Sequence, residues 1–297
     1  MHFSSLVISG LTAIVCATGL VQAAPVEVNK RASKGLYGIT YTARTSAGQC
    51  QTYEEVLATI QRFNKNGVMN IRTYSQECGQ LPNIVKAIEA TNSQMTVMAA
   101  AWIGGSDDQT EINTLLTNVK NVQNKKIIKS IMIGNEAMFS NYVSADTLVG
   151  YINQVKKQVQ GIPVGTVDTP NTFPSNLIAA CDTIGVNIHP YFGGVNVNQA
   201  GSNLMSQYNA FKGKASNKDI FITETGWPSA GNSDGSAVPG TSGLQSYVEQ
   251  LTSSVTIPYY FFESIDSNWK PAGANGVENH WGLVDASGKS KIPSVYQ

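Results

Sequence analysis

Glu136, in the run Ile131-Met-Ile-Gly-Asn135-Glu136, and Glu224, in Ile220-Phe-Ile-Thr223-Glu224-Thr-Gly226-Trp227-Pro228, are the residues whose type and setting could do chemistry. Each closes a run of β-branched or apolar residues that reads as a buried strand, and each is followed by loop-like residues. Both acids are therefore expected at strand C-termini, the end at which an α/β barrel keeps its active site. Two carboxyl groups held on separate rigid strands at one mouth suit glycosidic bond cleavage. One protonates the leaving oxygen while the other attacks the sugar or activates water.

The rest of the chain supplies elements that can hold such a pair. Strands are predicted at 35–41, 69–74, 95–102, 127–133, 163–167, 183–188, 219–223 and 258–262, eight in all. Between them lie helical patterns. Thr52-Tyr-Glu-Glu55 offers an N-cap with acids in the first turn, and an apolar stripe through Leu57, Ile60 and Phe63 runs on until Gly67. Similar one-sided stripes occupy 107–122, 144–159 and 241–255. Strand and helix alternating at this spacing predict an α/β fold, a single (β/α)8 TIM barrel over residues 34–297. A doubly wound open sheet is the structural alternative, but no Gly-x-Gly-x-x-Gly turn follows the first strand to support nucleotide binding. After Phe262 the pattern lapses into a long Gly/Asn-rich loop reaching Trp281, where a last helix should begin.

Composition narrows the ligand. In 297 residues, 42% of them apolar, Lys+Arg and Asp+Glu are both 20, and no basic run stands out. That argues against nucleic acid and against an electrostatic membrane anchor, and favours a neutral polar ligand such as a sugar. The apolar stretch Leu6–Val21, followed by Val21-Gln-Ala-Ala24, reads as a secretory signal peptide over residues 1–24. Residues 25–33 then form a short propeptide or linker, with Lys30-Arg31 as a dibasic processing site. A secreted, extracellular product is expected. Of the four cysteines, Cys16 leaves with the signal, Cys181 reads as a buried free thiol on an apolar helical face, and Cys50 and Cys78 follow predicted strands on one barrel face. A disulfide between these last two is open to an oxidising compartment. With only three histidines, a His/Cys metal site is unsupported, and no metal or cofactor is expected. No Asn-x-Ser/Thr acceptor occurs.

Gly134-Asn135-Glu136 and Thr223-Glu224-Thr225-Gly226-Trp227-Pro228 resemble the two signatures of glycoside hydrolase family 17, together with Arg72-Thr-Tyr74, His189-Pro-Tyr-Phe192 and Trp281-Gly-Leu283. The resemblance runs from about Gly35 to Gln297. It implies a retaining enzyme acting on β-1,3-glucan, with Glu136 as acid/base and Glu224 as the nucleophile of a glycosyl-enzyme intermediate. Such a pair must differ in pKa, the donor arriving protonated and the nucleophile ionised. Carried over by position, Asn135 contacts the 2-hydroxyl of the cleaved sugar, and Tyr41, Tyr74 and Tyr191 approach the nucleophile or line the cleft. Glu263, Trp269, Lys270 and Glu278 would bind substrate on the eighth loop, Trp269 by stacking its indole on a glucose face. Asp266 and Ser267 depart from the plant pattern. His189 stands where plant relatives usually carry tyrosine, so a substrate role and a satisfied buried histidine are both open. Trp227-Pro228 is read as a prop for the nucleophile loop.

The short stretch after His189-Pro-Tyr-Phe192, the signal peptide and the dibasic site resemble the fungal cell-wall branch of that family, many of whose members are glucanosyltransferases. A secreted wall enzyme is therefore expected, monomeric, taking a β-1,3-glucan as its partner and passing the cleaved glycosyl unit to an acceptor glucan. A mainly hydrolytic endo-β-1,3-glucanase is the first alternative, and a barrel acting on cellulose, mannan or xylan another. A non-catalytic carbohydrate-binding barrel is more distant, and an inert structural barrel more distant still.

Overall fold

A computed structural model describes residues 35–215 and 218–297. The expected signal peptide and propeptide lie outside the described residues.

Eight parallel strands close into a barrel in sequence order. They are β1 (Gly38–Thr40), β2 (Asn70–Arg72), β3 (Thr96–Ala101), β4 (Ile128–Asn135), β5 (Val164–Asp168), β6 (Thr183–Asn187), β7 (Asp219–Thr225) and β8 (Tyr259–Phe261), with β8 pairing back onto β1. The fold is a (β/α)8 TIM barrel. Its strands read as near-continuous apolar runs because both faces are buried. One face fills the barrel bore with Met98, Ala100, Met132, Val167 and Tyr260. The other meets the helices in a larger cluster that includes Ile39, Ile71, Val97, Ile131 and Ile222.

The helices are α1 (Tyr53–Lys65), α2 (Gln80–Ala90), α3 (Asp108–Asn121), α4 (Ala145–Lys156), α5 (Ser175–Ala180), α6 (Ala200–Lys214) and α7 (Thr241–Ser254). Where the sequence carries a cap, the helix starts on it. Thr52 and Glu55 form a reciprocal capping box at α1, while Asp107 and Ser144 accept amide hydrogens at α3 and α4. Two helices, α2 and α6, are absent from the sequence-based reading, and α5 enters it only as the apolar helical face around Leu177–Asp182. None of the three has a side-chain N-cap, α5 has only six residues, and Gly, Asn, Ser and Gln dilute the stripe of α6. Cys181 is a buried free thiol, but it sits on extended backbone at the C-cap of α5 rather than on a helical face.

No helix follows β8 among the described residues. The segment is held by bridges Ile265↔Val284 and Val284↔Ser290 and by a buried Lys291–Asp266 pair at 2.5 Å. The C-terminal Gln297 exchanges two hydrogen bonds with the Asn66 side chain at the end of α1, at 2.6 and 2.7 Å. Tyr296 is buried beside it, so this segment packs against the end of α1.

Bulges near the strand C-termini set which side chains enter that mouth. Between β4 and β5 the pairing passes from Met132↔Gly165 to Asn135↔Val167, one residue more on β4. Between β6 and β7 it passes from Val186↔Ile222 to Asn187↔Glu224, one residue more on β7. In β7, Phe221 packs on Tyr260 in the bore and Thr223 bonds Asn187 across it. Strict alternation would turn Glu224 outward. The extra residue lets Glu224 face inward as well, and Thr225 then meets Tyr247 of α7 outside the barrel.

Candidate functional site

A cleft of about 640 Å³ opens at the C-terminal end of the barrel. Its walls come from the loops after β8, β1, β2 and β3, while Asn135, Glu136 and Glu224 form its boundary on the β4 and β7 side. Glu136 lies one residue beyond β4 and Glu224 is the penultimate residue of β7, so both carboxylates meet one cavity.

Glu224 is almost fully buried, and both its oxygens are engaged. Arg72, wholly buried at the end of β2, donates to Oε1 at 2.8 Å, and Nε2 of His189 lies 3.3 Å from Oε2. Burial pushes the carboxyl pKa up, but the His189 hydrogen bond and the Arg72 charge outweigh it and hold the group at about 2. Glu136 is half-buried and has no cation in contact. Asn187 donates to its Oε1 at 2.9 Å. Burial first, and the nearby Glu224 charge second, raise its pKa above the ordinary carboxylate value. One acid is thus held ionised while the other favours its proton.

Asn135 joins the two environments. Its Oδ1 accepts from Arg72 at 2.6 Å and from Asn187 at 3.1 Å. The turn that presents Glu136 is unusual backbone: Gly134 has φ +88° and Glu136 itself φ +51°, the left-handed region that a side chain adopts at some cost. Asp168, at the end of β5 and fully buried, holds that turn. Its Oδ2 accepts the amide hydrogens of Met138 and Phe139 at 2.9 and 3.4 Å, and its Oδ1 accepts from Thr169 and Thr172.

Around this centre, Tyr74 lines the cleft with its ring over the Arg72 guanidinium, 4.3 Å from ring centre to Cζ. Glu263, two residues beyond β8, is buried and accepts Lys270 at 2.8 and 3.0 Å and Ser267 at 3.1 Å. Desolvation still raises its pKa. Lys270 and Glu278 line the same wall, and the indole of Trp269 is 45% exposed there, open to a ligand. Trp102 and Glu111 line the β3 side, with the Glu111 carboxylate accepting the Trp102 amide hydrogen at 3.1 Å.

Two of the expected cleft residues are elsewhere. Tyr41 is buried in the layer between barrel and helices, edge-on to Phe63 of α1, with its hydroxyl on Gln51. Tyr191 is also fully buried, packs edge-on to Trp227 and Trp281, and donates to the Asn232 carbonyl. Tyr41 directly follows β1 and can point out of the bore as readily as into it, while Tyr191 lies in a short turn four residues past β6, and the sequence leaves the direction of both rings open. His189 is drawn to Glu224 within a box of Phe192, Phe262 and Trp281 rings, at centroid distances of 6.0, 5.5 and 5.0 Å. Trp227 is buried with its Nε1–H on the Val238 carbonyl at 3.1 Å, which ties down the loop after β7. A disulfide joins Cys50 to Cys78, linking the β1 and β2 loops.

Arg72, Asn187 and Asp168 were not assigned a role from sequence. Their common signal is a polar residue closing a barrel strand on the catalytic end, a position that this fold reserves for function.

A family model for the BtgE/BtgC glycoside hydrolase domain matches residues 38–282. The chain belongs to this family. A BtgE/BtgC relative, "Probable beta-glucosidase btgE" of Neosartorya fischeri, is 32% identical over 262 residues, covering 84% of this chain and 46% of that protein. The "Probable family 17 glucosidase SCW4" of Saccharomyces cerevisiae is 31% identical over 263 residues, covering 85% of this chain and 66% of its own length. The chain therefore spans about half the length of the btgE relative. Among solved structures, an active-site mutant of a Rhizomucor miehei beta-1,3-glucanosyltransferase in complex with laminaritriose superposes with a TM-score of 0.78 at 27% identity, covering 87% of this chain and 96% of that one. An endo-laminarinase from Formosa shares the fold, with a TM-score of 0.74 at 21% identity over 86% of this chain and 84% of the other.

Proposed function

We propose that this BtgE/BtgC-family chain is a retaining enzyme that cleaves β-1,3-glucan through a covalent glycosyl-enzyme intermediate and transfers the glycosyl unit to an acceptor glucan. The observation that carries this reading is the opposed ionisation of two carboxyl groups facing one cleft. Glu224 is held at about 2 by Arg72 and His189, and Glu136 is shifted the other way. Names of the relatives support the substrate: a beta-1,3-glucanosyltransferase, solved with laminaritriose, shares 27% identity over almost its whole length.

In the first step the ionised Glu224 attacks the anomeric carbon while protonated Glu136 gives its proton to the departing glycosidic oxygen. In the second step Glu136, now a carboxylate, takes the proton from an acceptor hydroxyl, which displaces Glu224 and restores both groups. Asn135 has its carbonyl oxygen occupied by Arg72 and Asn187, which turns its amide NH2 toward the sugar that occupies the cleft. Tyr74, Glu263, Trp269, Lys270 and Glu278 bind neighbouring glucose units from the walls where they stand. His189 acts through Glu224, as a donor to the nucleophile. The proposed reaction draws on these side chains alone, without cofactor or metal.

The test is incubation with laminari-oligosaccharides at high concentration, with products sized and their anomers followed by NMR. Products longer than the substrate, formed with retention, are expected. Only shorter sugars would leave the hydrolytic endo-glucanase reading, and inversion would remove the covalent step. We further propose that the enzyme acts as a monomer outside the cell, at the wall. No helix among the described residues is long and apolar enough to cross a membrane. Fractionation of medium, wall and cell extracts, and light scattering of the purified chain, test these two statements.

A further inference from the structure

Trp269 is half-exposed, yet its position is determined from behind by a loop that takes no part in the chemistry. The residues after β1 form a tight hairpin, Arg44↔Cys50, closed by Thr45 N–H to Gln49 O at 2.8 Å and Gly48 N–H to Thr45 O at 2.9 Å. At its tip Gly48 has φ +88°, and a Cβ there would stand 2.7 Å from Cβ and 2.9 Å from Cγ of Trp269. The indole therefore rests on bare backbone. Arg44 spans the hairpin, with Nη1 on the Gly48 carbonyl at 2.6 Å, Nη2 on Glu77 at 2.5 Å and its guanidinium 5.8 Å from the Trp269 ring. Glu77 belongs to the β2 loop, and the Cys50–Cys78 bond ties the base of the hairpin to the very next residue of that loop.

We infer that this stapled hairpin is a positioning device for Trp269, and that Gly48 together with the Cys50–Cys78 bond sets how tightly the cleft binds an extended glucan. The inference rests on the proposal that Trp269 stacks on a glucose unit. Stacking needs a ring fixed at van der Waals distance from the sugar face, and a loop of its own cannot fix it. The two links between the loops are unequal. The Arg44–Glu77 pair is partly exposed to water, with side chains 26% and 62% accessible, and solvent screening leaves such a pair weak. The covalent bond dominates, so opening it loosens the seat more than removing the Glu77 charge does.

The experiment measures kcat and KM for laminaripentaose with Gly48→Ala, with the Cys50→Ser/Cys78→Ser double variant, and with each of these in a Trp269→Ala background. Wild-type chain reduced under native conditions serves as a preparation that needs no variant to fold. Each perturbation is expected to raise KM by about three- to tenfold, the size of one aromatic stacking contact, with a much smaller change in kcat. In the Trp269→Ala background the same changes are expected to shift KM by less than about twofold, because the ring they position is gone. Equal shifts in both backgrounds, or unchanged KM in both Gly48→Ala and the reduced enzyme, overturn the inference. So does a Trp269→Ala variant that binds laminaripentaose like wild type. Wild-type chain that neither binds nor turns over laminaripentaose overturns the proposed function instead, a result distinct from a loss of coupling.

Discussion

The ends of β4 and β7 carry the same side chain on opposite electrostatic settings. At β7 a buried carboxylate faces a buried guanidinium and a histidine nitrogen, and the charged form wins although burial opposes it. At β4 the carboxyl meets an amide and no cation, so burial and the neighbouring negative charge favour the neutral form. The difference teaches that division of labour between two glutamates is imposed by what the other strands bring to them. Arg72 comes from β2, Asn187 and His189 from β6 and its following residues, and Asp168 from β5.

Removing either acid should give the largest effects, and unequal ones. Glu224→Ala is expected to lower turnover of laminari-oligosaccharides by about 10⁴-fold or more, as loss of a covalent nucleophile does elsewhere. Glu136→Ala is expected to cost about 10²–10⁴-fold, and to recover much of its glycosylation rate on an aryl glucoside whose leaving group needs no protonation. Comparable recovery by the Glu224 variant would mean that the two roles are assigned the wrong way round.

Arg72→Met attacks the asymmetry itself. Leaving Glu224 buried without its partner should destabilise the fold by about 3–5 kcal/mol near neutral pH. The sign follows from the folded-state pKa, which lies below the ordinary 4.5 at about 2. In the wild type this contributes stability that is present above pH 4.5 and is lost as pH falls toward 2. In the variant Glu224 takes up a proton more readily, so the stability gap between the two proteins should narrow on acidification, as denaturant unfolding at several pH values can measure. The acid limb of kcat/KM, set by ionisation of the nucleophile, should move to higher pH as well.

Asp168→Asn tests the other half. It removes a negative charge near Glu136 and one acceptor from the turn behind it, so the alkaline limb should move to lower pH and turnover should fall by about tenfold. An unchanged limb would confine Asp168 to holding the turn. The smallest effect is expected of His189→Phe, which keeps the aromatic box but loses the donor to Glu224 at 3.3 Å. Its acid limb should rise as well, because the His189 hydrogen bond is the largest of the contacts that lower the Glu224 pKa, but its cost in stability should be smaller than that of Arg72→Met, because Arg72 still neutralises the buried carboxylate.

Much of this molecule can be read from its one-dimensional pattern. All eight strands fall within or close to their expected spans, because a strand buried on two faces must be apolar along its length. Helices α1, α3, α4 and α7 show the stripe of an element buried on one side only, and α1, α3 and α4 also carry side-chain caps. Helix α2 carries the same stripe in Leu81, Ile84, Val85 and Ile88 but no side-chain cap to mark its start, while α5 is short and α6 polar, so these last two draw their stability from packing rather than from local signals. Trp269, Lys270, Glu263 and Glu278 reach the cleft on a loop whose composition already marked it as irregular.

What the sequence determined is the set of strands, their order and the two glutamates near their ends, since each depends on residues adjacent in the chain. Facing was left to the tertiary structure. Single-residue bulges turn Glu136 and Glu224 into one cleft, while of two tyrosines equally plausible on paper Tyr41 is packed behind the barrel wall and Tyr191 is buried against Trp227 and Trp281 among the loops. The ionisation states were left to it too, because a carboxyl pKa depends on charges a few ångströms away in space. Arg72 and Glu224 are separated by 152 positions along the chain and by 2.8 Å in the fold.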